Sequence, residues 1–416
     1  MYFDQFEMDK DEYNEGISRY DENGNLNFSQ NPETNARFHS AWCSMIYPCL
    51  LLSRNLLAND GVIFISIDNH EVDNMLKICD EIFGTANRIA CIVNVNNPKG
   101  RSDEKNIATA HEYIVVYQKN EAILSGFEPE ENVTRRYNKV DKEGNRYRYI
   151  DLRKTGDSDR REDRPKMFYY FYFNQATGEF YPSYDERTPD GWIKIVPMKD
   201  DGSFGRWRVG IETAESRKEL LEPTYMSVKK RWTVMERDYL SDDLRVKATT
   251  AWTFKDLNSE RGTEQFVDLG FDKNIFPRPK PLGTILRPLL LSTKKGDVVL
   301  DFFSGSSTTA HAVMQLNAED GGNRRFIMVQ IPEPCDEKSE AYKAGYRNIC
   351  EIGKERIRRA GEKIKADSPL TTADLDVGFR VFKLADSNMK DVYYAADELD
   401  QQTLADMVSN IKEDRT

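Results

Sequence analysis

With 416 residues, 39% of them hydrophobic and 31% charged, the chain is long enough for two or three domains that each bury a core of their own. No apolar run approaches the roughly 18 residues of a membrane helix, and the acidic, polar N-terminus does not read as a signal peptide, so no membrane is expected as partner and the cytoplasm is the expected compartment. The formal net charge of −11 argues against nucleic acid only as an average, because 12 Lys or Arg stand against 7 Asp or Glu between Thr134 and Lys166.

Residues up to about Asn35 are polar and turn-rich, with DENGN at Asp21–Asn25, and read as a loosely attached arm. Trp42, Met45, Ile46, Leu50, Leu51, Leu52, Leu56 and Leu57 then recur at helical spacing, with Pro48 expected to bend or divide the helix. Asn59-Asp60-Gly61 ends it. Val62–Ile67 (VIFISI) is strand-like, with Asp68 at its carboxyl end, where open α/β sheets meet ligands. A helix over about Glu71–Phe83, a strand near Ile89–Val95 and a third strand at Glu112–Tyr117 complete half of an α/β sheet. The six cysteines, Cys43, Cys49, Cys79, Cys91, Cys335 and Cys350, form no CxxC or Cys/His cluster, so structural thiols are expected rather than disulfides or a metal site.

From about Glu121 to Phe271 the βα rhythm stops. MFYYFYF (Met167–Phe173), GRWRVGI (Gly205–Ile211) and KKRWTVM (Lys229–Met235) interleave aromatic with polar and basic side chains. Such runs line a small β core, and they also suit a surface that grips phosphates and stacks on bases.

The α/β pattern resumes near Lys273 with a proline-punctuated loop, Phe276–Pro281, and a helix over about Leu282–Ser292. Val298–Met314 (VVLDFFSGSSTTAHAVM) follows. Val298, Val299 and Leu300 suit a strand buried on both faces of a parallel sheet, and Thr308 or Thr309 suits a cap for the helix that carries Ala310, Val313, Met314 and Leu316. Between them Ser304, Gly305, Ser306 and Ser307 let a ligand approach the backbone at a helix N-terminus, the geometry of a nucleotide or adenosyl site. Arg325–Ile331 reads as the adjacent strand. Glu333, 28 residues after Gly305, then stands where such folds accept hydrogen bonds from a ribose diol. A charged helix over Tyr346–Ile364 and a final strand at Phe379–Leu384 close the pattern. A dinucleotide-binding oxidoreductase would need GxGxxG, which FSGSS does not supply.

Taken together, RFHSAWCSMIYPCLLLSRNLL, DGVIFISID, HEYIVVY, the long insertion, FPRPKPLGTILRPLL, DFFSGSSTTAHAVMQLNAEDGGNRRFIMVQIPEP and GFRVFKL resemble the modification (Mod) subunit of type III restriction–modification systems. These are DNA adenine-N6 methyltransferases whose catalytic half precedes the cofactor half. The resemblance implies an α/β fold: a Rossmann-like, S-adenosylmethionine-dependent methyltransferase sheet, incomplete here, with an inserted, mostly β target-recognition region. It implies a catalytic half over residues 1–120, the recognition insertion over 121–271, the S-adenosylmethionine-binding half over 272–385 and the start of a truncated C-terminal region over 386–416.

By the same resemblance Asp301, Phe303, Gly305, Ser307 and Thr308 match the cofactor motif, with Ser307 where Gly is usual. Lys280 and Pro281 match the loop that closes over the methionine moiety, and Glu333 matches the ribose carboxylate. DNA contacts are expected of Arg135, Arg136, Arg160, Arg161, Arg206, Lys230 and Arg231. The implied partners are double-stranded DNA, a restriction (Res) subunit and, at full length, a second Mod copy.

One departure stands out. The class carries an Asp-Pro-Pro-Tyr tetrapeptide that holds and stacks on the flipped adenine, and these 416 residues contain none. Relative to the family the chain is expected to begin just after that motif and to stop short at Thr416, leaving methyl transfer impaired or the chain a non-catalytic DNA- or partner-binding remnant or split subunit. The cofactor strand and Val62–Ile67 would then be left without the strand that joins them, rather than forming one seven-stranded sheet.

Overall fold

The computed structural model describes residues 38–100 and 106–384, so the expected N-terminal arm and the region from 386 onward lie outside the described residues. Two compact units result, one of residues 38–253 with 287–293 and one of residues 254–286 with 294–384.

In the first unit α1 (Phe38–Leu56) runs through Pro48 as one helix. It buries Ile46, Leu50 and Ser53, a stripe at i, i+4 and i+7, and packs on α2 (Val72–Phe83). The broad apolar face expected of it is therefore split, with Leu52 and Leu56 on the outer side at 63% and 72% exposure.

Strands β1 (Val62–Ile67), β2 (Arg88–Asn94), β3 (Glu112–Gln118) and β11 (Ala251–Trp252) form a sheet of order β1-β3-β2-β11. β3 runs antiparallel to both β1 and β2, and only β11 joins β2 in parallel. Ile114, Val115, Val116 and Tyr117 are almost fully buried, which accounts for the unbroken apolar run in β3. The Tyr117 hydroxyl donates to Asp80 Oδ1 at 2.7 Å and ties α2 to that strand. Asp68, at the end of β1, closes a local turn by accepting from the His70 backbone N–H and meeting the His70 ring.

The insertion builds two small sheets. β4 (Lys139–Val140), β5 (Arg146–Asp151), β9 (Leu221–Met226) and β10 (Arg231–Tyr239) pair antiparallel in the order β4-β5-β10-β9, while β6 (Tyr170–Phe173), β7 (Phe180–Ser183) and β8 (Ile193–Ile195) pair in the order β7-β6-β8. Leu152, Tyr169, Phe171, Ile195, Trp207, Leu221 and Val234 share one core. The aromatic runs thus line a β core first and foremost. Trp207 is fully buried and its indole N–H donates to the Tyr169 carbonyl at 2.8 Å.

In the second unit α3 (Ser259–Asp268) precedes the proline loop; α4 spans Leu282–Ser292 as expected, its residues from 287 onward belonging to the first unit. β12 (Val298–Asp301) and β13 (Arg325–Met328) pair in parallel around α5 (Thr308–Asp320), and α6 (Ile349–Asp367) packs on α5. Phe266, Ile275, Ala310, Met314, Ile352, Ile357 and Ala360 share its core, with Phe266 stacked on Phe271 at 4.2 Å. α5 is buried on nearly every side, so its sequence shows little amphipathic contrast.

Three expectations are corrected. β12 is not buried on both faces: Val298 is 48% exposed, and on β13 Phe326 and Met328 pack on the helical core while Ile327 is 51% exposed. Residues 379–384 form no strand; Phe379 instead lies under the Arg358 guanidinium. The charged helix starts at Ile349 rather than Tyr346, because the Asn348 side chain accepts from the Glu351 N–H and caps it there. Among the described residues β12 pairs with β13 alone and β1 with β3 alone, so each is an edge strand and no single seven-stranded sheet is present.

Replacing Trp207 by Ala removes the centre of the insertion core and a buried hydrogen bond. We expect a loss of about 3–5 kcal/mol in urea unfolding, read from the transition reported by Trp and Tyr fluorescence.

Candidate cofactor site

Strand β12 hands its last residue, Asp301, to the turn that follows. The Asp301 carboxylate accepts from the Phe303 N–H at 3.1 Å and, through Oδ2, from the Thr309 hydroxyl at 2.6 Å. The Asp301 carbonyl accepts from the Val329 N–H, and the Val329 carbonyl accepts from the Ser304 N–H, so the β13 partner extends the pairing into the turn. Gly305 donates its N–H to Gln330 Oε1 at 2.8 Å, and Ser307 donates its own to the Ser304 carbonyl at 2.7 Å. These bonds shape the turn from both strands at once.

Gly305 and Ser307 both sit in the left-handed region, at φ 50° and 61°. For Ser307, which is not glycine, that conformation costs on the order of 1 kcal/mol. Ser307 is the residue preceding α5 and makes no side-chain cap. Thr308 and Thr309 are accordingly not caps but the first two residues of the helix, with their hydroxyls used inward. Thr308 Oγ1 donates to the Lys280 carbonyl over a long 3.5 Å and accepts from Arg356 Nη1 at 2.7 Å.

The structure therefore joins Asp301, Gly305, Ser307, Thr308 and the Lys280 backbone in one hydrogen-bonded cluster. Pro281 is buried beside Lys280, where Gly262 of α3 lets the Pro279 carbonyl approach closely. Phe303 presents its ring beside the turn at 45% exposure. Glu333 is exposed beyond β13, its carbonyl accepting from the Ile349 N–H.

Three residues of the cluster carry no weight in the sequence reading: Gln330, Gly353 and Arg356. Gly353 was the legible one, since a glycine inside a charged helix signals close packing. A Cβ there would stand 2.6 Å from Ser307 Oγ and 3.3 Å from the Gly305 carbonyl, so α6 lies directly against the turn.

Can this turn receive S-adenosylmethionine? Its residues are small, it opens a buried 13-residue helix, and two buried Arg356 nitrogens, Nε and Nη2, have no hydrogen-bond partner among the described residues. That is the donor-rich, uncompensated setting an anionic or polar cofactor end fits.

In the insertion Arg135, Arg136, Arg160, Arg161 and Lys230 are exposed. Arg135 pairs with Glu131, Arg161 lies 4.2 Å from the Phe168 ring centre, and Lys230 occupies the left-handed tip of the β9–β10 turn. Arg206 is corrected: it is 5% exposed, and its guanidinium donates to the Ser158 and Trp207 carbonyls, a structural position rather than a surface one. Arg231 is half-buried, with its guanidinium shared between Asp200 and the Lys199 carbonyl.

Strand, small-residue turn and buried helix define an α/β unit, and comparison with known proteins narrows its class. The DNA methylase family matches residues 11–358. The type II methyltransferase M.KpnI of Klebsiella pneumoniae is 37% identical over 322 residues, 77% of this chain and 74% of its own length. The EcoPI Mod subunit of Escherichia phage P1, a type III restriction-modification enzyme, is 33% identical over 354 residues, 84% of this chain and 54% of its own. The StyLTI Mod subunit of Salmonella typhimurium is 31% identical over 364 residues, 83% of this chain and 49% of its own. The chain belongs to the DNA methylase family, and it spans about half the length of these type III Mod subunits.

Two outcomes test the geometry. Gly353→Ala should destabilise the second unit by about 1–3 kcal/mol through overpacking, and combining it with Ser307→Gly should recover part of that loss, a coupling measured by a double-mutant cycle of unfolding free energies. His311, buried and with its Nδ1 unpartnered among the described residues, is held near a pKa of about 3 by burial and then by the charges of Arg356 and Lys363. The unfolded chain takes up this proton near pH 6.5 and the folded one only near 3, so stability falls as the pH drops through that window. His311→Leu should flatten that acid-side slope in thermal melts between pH 6.5 and 4.

Proposed function

We propose that the chain is the cofactor-binding and target-recognising part of a site-specific DNA adenine-N6 methyltransferase of a type III restriction–modification system. The observation that carries this reading is the turn between β12 and α5, hydrogen-bonded through Phe303 and Thr309 to Asp301 of β12 and through Ser304 and Gly305 to Val329 and Gln330 just beyond β13, in a chain matched by the DNA methylase family over residues 11–358.

Asp301, Phe303, Gly305, Ser307 and Thr308 would hold S-adenosylmethionine, with Lys280 and Pro281 flanking and Glu333 on the ribose. Bound there, the cofactor supplies an electrophilic methyl group. The chain's part is to fix the turn: Asp301 locks Thr309 and the Phe303 N–H, and Gln330 locks Gly305. Of the basic residues, Arg135, Arg136, Arg160, Arg161 and Lys230 are available to DNA phosphates, whereas Arg206 and Arg231 support the insertion from within.

The adenine-holding Asp-Pro-Pro-Tyr is absent from these 416 residues, and methyl transfer by them alone is therefore impaired. Similarity to type III restriction-modification Mod subunits supports a restriction (Res) subunit as partner; a second copy of the chain and a cytoplasmic setting belong to the same proposal. The missing tetrapeptide also favours a second reading, a non-catalytic subunit that binds DNA or a partner.

The test is transfer of a labelled methyl group to duplex DNA by the purified chain, alone and with a polypeptide carrying the Asp-Pro-Pro-Tyr strand. The reading predicts transfer only with the added segment. No rescue, with salt-dependent DNA binding intact, supports the non-catalytic subunit, and binding of NAD with no response to S-adenosylmethionine overturns the methyltransferase reading altogether.

A further inference from the structure

Arg356 stands at the centre of α6 with no exposed surface, and among the described residues its guanidinium meets no carboxylate. Nη1 donates to Ser306 Oγ at 2.8 Å and to Thr308 Oγ1 at 2.7 Å, while Nε and Nη2 have no acceptor. The Phe266 ring centre lies 5.7 Å from the guanidinium carbon. His311, kept neutral by burial and by Arg356 itself, adds no charge beside it. Burial lowers the Arg356 pKa only to about 10, so the group is charged at neutral pH.

A buried cation without an anion is destabilising, and an apolar side chain of similar length would fill the same space without that penalty. Its hydrogen bonds also have a direction. Ser306 Oγ accepts from Nη1, and the Ser306 hydroxyl proton has no acceptor among the described residues. A hydroxyl that accepts from a cation is a stronger donor in turn. The N-terminus of α5, which opens at Thr308, adds partial positive charge at the same place. Two independent features, a helix N-terminus and an unpaired buried guanidinium, thus lack the same thing, a negative group.

We infer that Arg356 is a positioning residue of the cofactor turn: through the hydroxyls of Ser306 and Thr308 it gives the turn a positive potential that selects a ligand bearing a carboxylate, the amino-acid end of the cofactor. The inference rests on the S-adenosylmethionine reading of this turn. Arg356 does not touch the reacting atoms and acts on binding, through which end of the ligand the turn favours.

Calorimetric titration with two probes tests it: S-adenosylhomocysteine, which has the carboxylate, and 5′-methylthioadenosine, which keeps the nucleoside and lacks the amino-acid end. Arg356→Met should weaken S-adenosylhomocysteine by about tenfold, the scale of one charge-assisted interaction, and leave methylthioadenosine within about twofold. Arg356→Lys should restore most of the lost affinity. Ser306→Ala keeps the guanidinium and serves if Arg356→Met does not fold; it should show the same selectivity at about threefold. Parallel loss of both probes would mean that Arg356 only supports the turn, and unchanged binding of S-adenosylhomocysteine would mean that its charge is not felt there; either overturns the inference. A wild-type chain that binds neither probe contradicts the cofactor reading itself, a result separable from the other two.

Discussion

Helix α6 lies against the turn at two points one helical turn apart. At Gly353 the absence of a side chain lets Ser307 Oγ and the Gly305 carbonyl come within the space a Cβ would take. At Arg356 the guanidinium reaches Ser306 and Thr308. Because residues three apart share a helix face, one contact sets the depth of the helix and the other its register. With α6 in place Ser307 is held in a left-handed conformation that a serine does not favour, which starts α5 at Thr308 and aims Thr309 at Asp301. Local strain at the turn is thus balanced by packing from a helix 45 residues further along the chain.

The turn is also held from the sheet side. The parallel pairing of β12 with β13 runs on past Asp301 through Val329, and Gln330 closes it on Gly305. The side chains around the turn therefore do two kinds of work. Asp301 spends its carboxylate on Thr309 and the Phe303 N–H, whereas among the described residues the Ser306 hydroxyl proton and two Arg356 nitrogens have no acceptor. The unsatisfied groups lie on the α6 side of the turn.

How much of this was legible in the residues alone follows from which interactions are local. Leu282–Ser292 and Val298–Asp301 could be placed because apolar spacing and Gly/Pro punctuation are properties of neighbours in sequence. The turn was legible as a small-residue link between strand and helix. Its supports were not, since Gln330 and Arg356 reach it over 25 and 48 to 50 residues and a polar side chain gives no periodic signal of its target. Arg206 shows the converse: a basic residue beside Trp207 reads as a DNA contact until a long-range hydrogen bond to Ser158 takes its guanidinium inside. The FRVFKL alternation at 379–384 likewise favours a strand, but it has no pairing partner among the described residues and stays irregular.

The central claim, that the turn between β12 and α5 receives S-adenosylmethionine, is tested most directly by amide hydrogen–deuterium exchange with and without S-adenosylhomocysteine. The account predicts slowed exchange in peptides covering residues 302–310, together with 349–357 of α6, while peptides from the insertion core around Trp207 are unchanged. Slowing confined to other segments, or slowing at the turn by NAD and not by S-adenosylhomocysteine, would contradict it.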